Sequence, residues 1–254
     1  MDRRENLSQK EFLHEYAYPG KPVVLLNAMN QWSAYKLWTK EFFATHYGAL
    51  KVSVRKSDNY DDEITLRLDE YINNLSSSEK LSFYYLKDWV FEKVCPELMN
   101  YYDPPSYFKS WTRWLPEFIR PKWRWLYIAP PNSASHLHVD FLNTSAWNAL
   151  FLGKKRWLFF SPDQARYMYK GEVNAFKPNI EKFPFFAKTK PLTYLQSAGE
   201  IVFTPGGWWH AVRNEEESIA VSENFINEAN YRNYFQLRTV IRYFRYADHP
   251  FWLA

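Results

Sequence analysis

Ile201-Val202-Phe203-Thr204-Pro205-Gly206-Gly207-Trp208-Trp209-His210 decides the fold reading. An apolar, β-rich run stops at Pro-Gly-Gly, residues that punctuate extended chain, and a second run starts at the tryptophans. The same texture holds on both sides. Short β-rich runs cover 123–129, 135–141, 145–152, 155–161, 192–196, 200–204, 208–213 and 217–225. Pro130-Pro131, Gly153, Gly199 and Asn214 separate them. Many short strands with turn signals between them predict a mainly β sandwich or barrel. The segment 162–191 is expected to be a loop excursion.

The N-terminal part mixes elements. Pro22–Leu26 reads as a buried strand, and 38–48 as a helix with Thr39 as N-cap and Glu41 in its first turn. Lys51–Arg55 alternates as a strand, Leu66–Leu75 carries a helical period, and Ser82–Leu86 is β-rich. Residues 228–246 carry apolar side chains at three- and four-residue steps, which predicts a C-terminal helix. No repeat or Gly/Ser linker interrupts the chain. The expectation is therefore one domain over 1–254: an α/β buttress (1–122), a β core (123–226) and a helical segment (227–254).

Composition excludes several classes. With 46% hydrophobic residues among 254, disorder is not expected. No apolar stretch approaches the ~18 residues that cross a bilayer, and the mixed-charge start shows no secretory signal, so no membrane association is expected. One cysteine, Cys95, allows neither an internal disulfide nor a multi-cysteine zinc site, which points to an intracellular chain, cytoplasmic or nuclear. Net charge is +4. Lys109, Arg113, Arg120, Lys122 and Arg124 concentrate in an aromatic-rich stretch, and Arg232, Arg238, Arg242 and Arg245 near the C-terminus. Such faces are either solvated or a groove for an anion such as RNA.

Six histidines are present, two of them in Ser135-His136-Leu137-His138-Val139-Asp140. Alternation along a strand projects His136, His138 and Asp140 from one face, within reach of one ion. A third ligand has to come from another strand, and His210 is the candidate. Two histidines and a carboxylate form the facial set of non-haem iron oxygenases. The competing reading of the same spacing is a hydrogen-bonded polar pair inside a barrel and a histidine in a turn. His136-x-His138 also fits a cupin metal pattern, but that pattern needs a glutamate that 141–146 lack.

The segments His138–Asp140, Thr144–Leu150, Gly153–Trp157 and Gly199–His210 resemble the core of the JmjC (Jumonji-C) oxygenases. Tyr85-Leu86-Lys87-Asp88-Trp89, Tyr107–Trp111 and Asn224–Asn227 are similar to the small JmjC lysyl hydroxylases, the phosphatidylserine-receptor-like and translation-termination-factor-modifying groups. The likeness runs from about residue 20 to 235. It implies a double-stranded β-helix (cupin or jelly-roll) that holds Fe(II) through His138, Asp140 and His210, with 2-oxoglutarate as cosubstrate and O2 as oxidant. Lys155 matches the lysine that pairs with the distal carboxylate of 2-oxoglutarate. Asn148, Ser135 and Ser222 match polar positions of that pocket, and Tyr84, or Tyr85 one step away, matches a tyrosine on the same carboxylate. Trp147, Trp157, Trp208 and Trp209 are expected as dry walls near the metal.

The implied activity is hydroxylation of a protein side chain, lysyl first. The alternatives are the same chemistry on an RNA base or small metabolite, histone demethylation, and an inactive binding cupin. Similar tails in relatives imply a homodimer through the C-terminal helix.

Overall fold

The computed structural model describes residues 1–57, 59–75 and 81–234. Thirteen strands form its frame: β1 (Asp2–Glu5), β2 (Val23–Leu26), β3 (Lys51–Lys56), β4 (Asn59–Arg67), β5 (Tyr84–Trp89), β6 (Arg124–Ala129), β7 (Ala134–His138), β8 (Ser145–Leu152), β9 (Lys154–Phe160), β10 (Leu192–Ser197), β11 (Ile201–Thr204), β12 (Trp209–Asn214) and β13 (Ser218–Phe225). Eight of them make two facing four-stranded layers. β11-β8-β13-β6 lie in the larger sheet and β10-β9-β12-β7 form the smaller one. This is the double-sheet arrangement of a jelly roll. The N-terminal strands extend the larger sheet at both ends, β2 and β1 beside β11, and β5, β3 and β4 beside β6.

Three apolar clusters follow from this layering. Val24 and Val202 of the larger sheet meet Trp157, Phe159 and Val212 of the smaller one between the layers. The outer face of the larger sheet, with Trp147, Ala149, Phe203, Val221 and Phe225, packs on Phe12, Trp32, Trp38 and Phe43. The outer face of the smaller sheet, with Leu137, Phe160 and Ala211, is covered by Met168, Val173, Phe183 and Phe186. The excursion 162–191 is thus a lid over one sheet, built from short 3-10 turns. β8 is covered on both faces, which explains its nearly unbroken apolar run.

The helix Lys40–Tyr47 starts where expected, with the Thr39 hydroxyl accepting from the Phe42 amide. Two segments depart from expectation. β4 extends to Arg67 and the helix that follows covers only Leu68–Asn73, because the strand pairs with β3 through Leu66. β1 was not anticipated. Its sequence Asp-Arg-Arg-Glu has no apolar face, and it pairs parallel to β2 at the sheet edge. The expected C-terminal helix is described only over Tyr231–Tyr234, and the rest of it lies outside the described residues.

The turn from β8 to β9 is a single residue, Gly153, at φ +83. A Cβ there would stand 2.0 Å from the Glu217 carbonyl oxygen. Gly153→Ala therefore combines left-handed strain with a backbone clash, and is expected to cost about 2–4 kcal/mol. A thermal melt should fall by about 5–15 °C; an unchanged midpoint would contradict the turn geometry.

Candidate active site

His210 is the second residue of the smaller sheet's β12 and lies directly opposite His138 at the end of β7. Opposed residues share a face, and the two imidazoles sit 4.2 Å apart between centroids. Asp140 follows two residues on, where the chain leaves the strand. Ligand atoms of His138, Asp140 and His210 lie within 4.8 Å of one another. The register between β12 and β7 shifts here: two steps on β12 (His210 to Val212) answer three on β7 (Ser135 to His138). This bulge resets the alternation. Ser135, opposite Val212, joins the inner face, whereas His136 is thrown outward, exposed, with its Nε2 2.6 Å from the Ser57 carbonyl oxygen. The expectation that His136 shares the face of His138 is corrected on this ground.

The hydrogen bonds of the two rings fix their tautomers. A carbonyl oxygen only accepts, so Nδ1 of His138 donates to His136 (2.7 Å) and Nδ1 of His210 donates to Trp208 (3.1 Å). Each Nε2 then carries a lone pair, the form in which imidazole binds a metal. Burial, and next the neighbouring His210, holds His138 well below the usual histidine range. Burial raises the Asp140 carboxyl, and its Oδ2 is buried without a hydrogen-bond partner. Two lone pairs and an orphaned carboxylate oxygen converging out of water are costly unless a cation joins them. The trio fits a divalent ion.

The Pro205–Gly207 turn holds the trio in place. The Gly206 amide donates to Ser145 Oγ at 3.2 Å, and a Cβ on Gly206 would meet the Asn143 carbonyl at 2.1 Å. The turn that leads to His210 is thereby pressed on the loop that leads away from Asp140.

Lys155 on β9 is 2% exposed. Its neighbour Lys154 points outward to Glu216, as alternation requires. Among the described residues no ion pair involves Lys155. Its Nζ lies 3.4 Å from Tyr85 Oη and over the rings of Tyr85 and Tyr127, at 5.9 and 5.4 Å from their centroids. Burial lowers its pKa to about 7. Tyr127 links this ammonium to the trio: burial first, then Asp88, Tyr85 and Asp140, push its phenol well up. A buried cation without a counter-ion fits an anionic group of a ligand.

Asn148 on β8 is buried, with Oδ1 unsatisfied, and opposes Ser222 on β13. The Ser222 hydroxyl donates to the Trp147 carbonyl at 2.9 Å. Tyr84 turns away and donates to Asp62 at 2.7 Å, so Tyr85 is the tyrosine that faces Lys155. Adjacent strand residues point to opposite faces, and the match to Tyr84 was one residue out of register. Of the four tryptophans expected near the metal, only Trp157 borders it, stacked 6.0 Å from His210 beside Phe159. Trp208 packs one ring farther, on Phe159. Trp147 lies in the core behind the larger sheet and Trp209 packs under the 162–191 lid, each being next in sequence to an inward residue.

Residues 8–231 match the family model described as a cupin-like domain. The chain belongs to the cupin-like domain family. The JmjC resemblance is borne out within it. The Arabidopsis thaliana lysine-specific demethylase JMJ21 is 32% identical over 245 residues, which cover 91% of this chain and 26% of that protein. The Caenorhabditis elegans bifunctional arginine demethylase and lysyl-hydroxylase psr-1 is 28% identical, covering 89% and 60%. The Gallus gallus 2-oxoglutarate and iron-dependent oxygenase JMJD4 is 27% identical, covering 91% and 60%. This cupin-like chain thus spans between a quarter and about 60% of the length of these relatives. Among its described residues no helix is long and apolar enough to cross a membrane.

Proposed function

We propose that the chain is an Fe(II)- and 2-oxoglutarate-dependent oxygenase that hydroxylates a side chain of a protein substrate, lysyl first. The observation that carries this reading is the convergence of two Nε2 lone pairs and the orphaned Asp140 oxygen on one point, with the buried Lys155 ammonium beyond Tyr127. His138, Asp140 and His210 hold the iron on one side and leave its other side to ligands. Lys155 and Tyr85 receive the distal carboxylate of 2-oxoglutarate, with Asn148, Ser135 and Ser222 as polar neighbours. When bound, iron and 2-oxoglutarate supply with O2 the oxidation of an aliphatic C–H to C–OH, with succinate and CO2 released. Trp157 and Phe159 exclude water on the His210 side. The sheet that joins β1–β5 to the core supports treating residues 2–225 as one unit, and the free buried Cys95 suits an intracellular setting.

Demethylation is the second reading, favoured by the likeness to the demethylases JMJ21 and psr-1. An RNA substrate has less support: two of the five basic residues of that stretch are paired with acids, Lys122 with Glu92, and Arg124 with Glu92 and Glu223. Succinate release across panels of lysyl and arginyl peptides, their N-methylated forms, RNAs and amino acids tests the proposal. A +16 product on a lysyl peptide is expected. Formaldehyde from methylated peptides alone would favour demethylation, and oxidation of RNA alone would overturn a protein substrate.

A further inference from the structure

β5 is irregular at Lys87 and Asp88. Leu86 opposes Ile128 and Trp89 opposes Leu126, so three steps on β5 answer two on β6. Asp88 sits at φ +58 inside this bulge. Left-handed backbone at a non-glycine residue is costly, and bulges re-aim side chains. Here the result is that both charged ends turn the same way. Lys87 Nζ lies 3.6 Å from Asp88 Oδ2, at 13% and 10% side-chain exposure. Asp88 Oδ1 accepts from the Tyr127 hydroxyl at 2.8 Å, and the Tyr127 ring underlies Lys155. The pair is felt at the trio. Beyond burial and His210, Lys87 contributes to lowering His138, and Asp88 adds to the raised Asp140 carboxyl.

Holding a phenol hydroxyl needs only a neutral acceptor. A carboxylate only 10% exposed costs desolvation energy, and a strained backbone holds it there. What a carboxylate adds over a neutral acceptor is affinity for a cation. With the metal, the trio and Lys155 balancing a dianionic cosubstrate, Asp88 is the acid left to receive a further positive charge.

Resting on the oxygenase reading, we propose that Asp88 is the carboxylate that receives the cationic side chain of a lysyl or arginyl substrate beside the His138–Asp140–His210 trio. The Lys87 ammonium occupies that position until substrate displaces it. Asp88 then determines substrate charge.

The test is a titration under nitrogen of protein loaded with Fe(II) and 2-oxoglutarate. The probes are N-acetyl-lysine N-methylamide and its uncharged norleucine counterpart. Wild type is expected to bind the lysine amide about tenfold more tightly. Asp88→Asn should abolish that difference and leave 2-oxoglutarate affinity unchanged. Lys87→Met should tighten the lysine amide several-fold by removing the internal competitor. Equal binding of the two amides by wild type overturns the proposal. So does undiminished discrimination in Asp88→Asn, or a loss confined to 2-oxoglutarate, which would make Asp88 a support for Tyr127 alone. If Asp88→Asn does not fold, Lys87→Met decides: no gain for the lysine amide overturns the assignment. Protein that takes up neither iron nor 2-oxoglutarate overturns the oxygenase reading itself, whereas protein that takes up both without discrimination overturns only Asp88.

Discussion

His210→Ala is expected to remove stoichiometric iron and to lower succinate formation by on the order of a thousandfold or more, as loss of one member of a catalytic unit does. In the proposed site three ligands would hold the ion, and without His210 the remaining His138 and Asp140 come from one strand end and the loop after it. A bidentate remnant neither fixes the geometry nor competes with buffer for iron. His136→Ala is the matched control, because the β7 bulge turns that ring toward Ser57 and away from the site. Metal analysis after anaerobic loading and desalting, together with succinate measurement, checks both variants. Full iron occupancy in His210→Ala, or loss of iron in His136→Ala, would contradict the trio.

Lys155→Met should weaken 2-oxoglutarate by about a hundredfold or more while raising the melting temperature of the ligand-free protein. The two effects share one cause. A buried ammonium without a carboxylate partner is a cost of a few kcal/mol in the empty fold, and the cosubstrate's carboxylate is what repays it. The pH dependence follows with a definite sign. The folded pKa, about 7, lies below the ordinary 10.5. Between these values the unfolded chain binds the extra proton, so this residue's contribution to ligand-free stability rises with pH, by up to about 1.4 kcal/mol per unit. Binding runs the other way. Above pH 7 the amine must take up a proton to meet the dianion, so 2-oxoglutarate affinity falls with increasing pH. Calorimetry at pH 8 in buffers of different ionisation enthalpy should register uptake of close to one proton in wild type and none in Lys155→Met. Absence of uptake in wild type would mean that Lys155 does not meet the dianion.

The legible part of the fold was the core from residue 123 onward. There each strand is short, apolar and closed by Pro, Gly or Asn, and the observed bounds fall within one to three residues of those read from sequence. Alternation along β9 allowed one of Lys154 and Lys155 to face inward, and the family resemblance pointed to Lys155, the one that is buried. The errors cluster where alternation breaks. A bulge in β7 displaced His136, and a register one residue out exchanged Tyr84 for Tyr85. The bulge in β5, which brings Lys87 and Asp88 together, leaves no mark in the local pattern, since it depends on how β5 meets β6. Edge strand β1 was illegible for the opposite reason: its four residues are all polar, and what holds them is backbone pairing with β2 and side-chain contacts to residues distant in sequence, such as Arg3 to Glu200 and Arg4 to Tyr16.

The position of β2 beside β11 carries a consequence for biosynthesis. β2 leaves the ribosome early and must wait for a neighbour encoded near the far end of the core, a delay on the order of ten seconds at ordinary translation rates. The third ligand, His210, follows β11 directly. In the proposed site, iron capture would thereby wait for the synthesis of β12. A nascent fragment that stops short of β12 would display two of the three proposed ligands at most, and the proposed chemistry would be withheld until β12 closes the site.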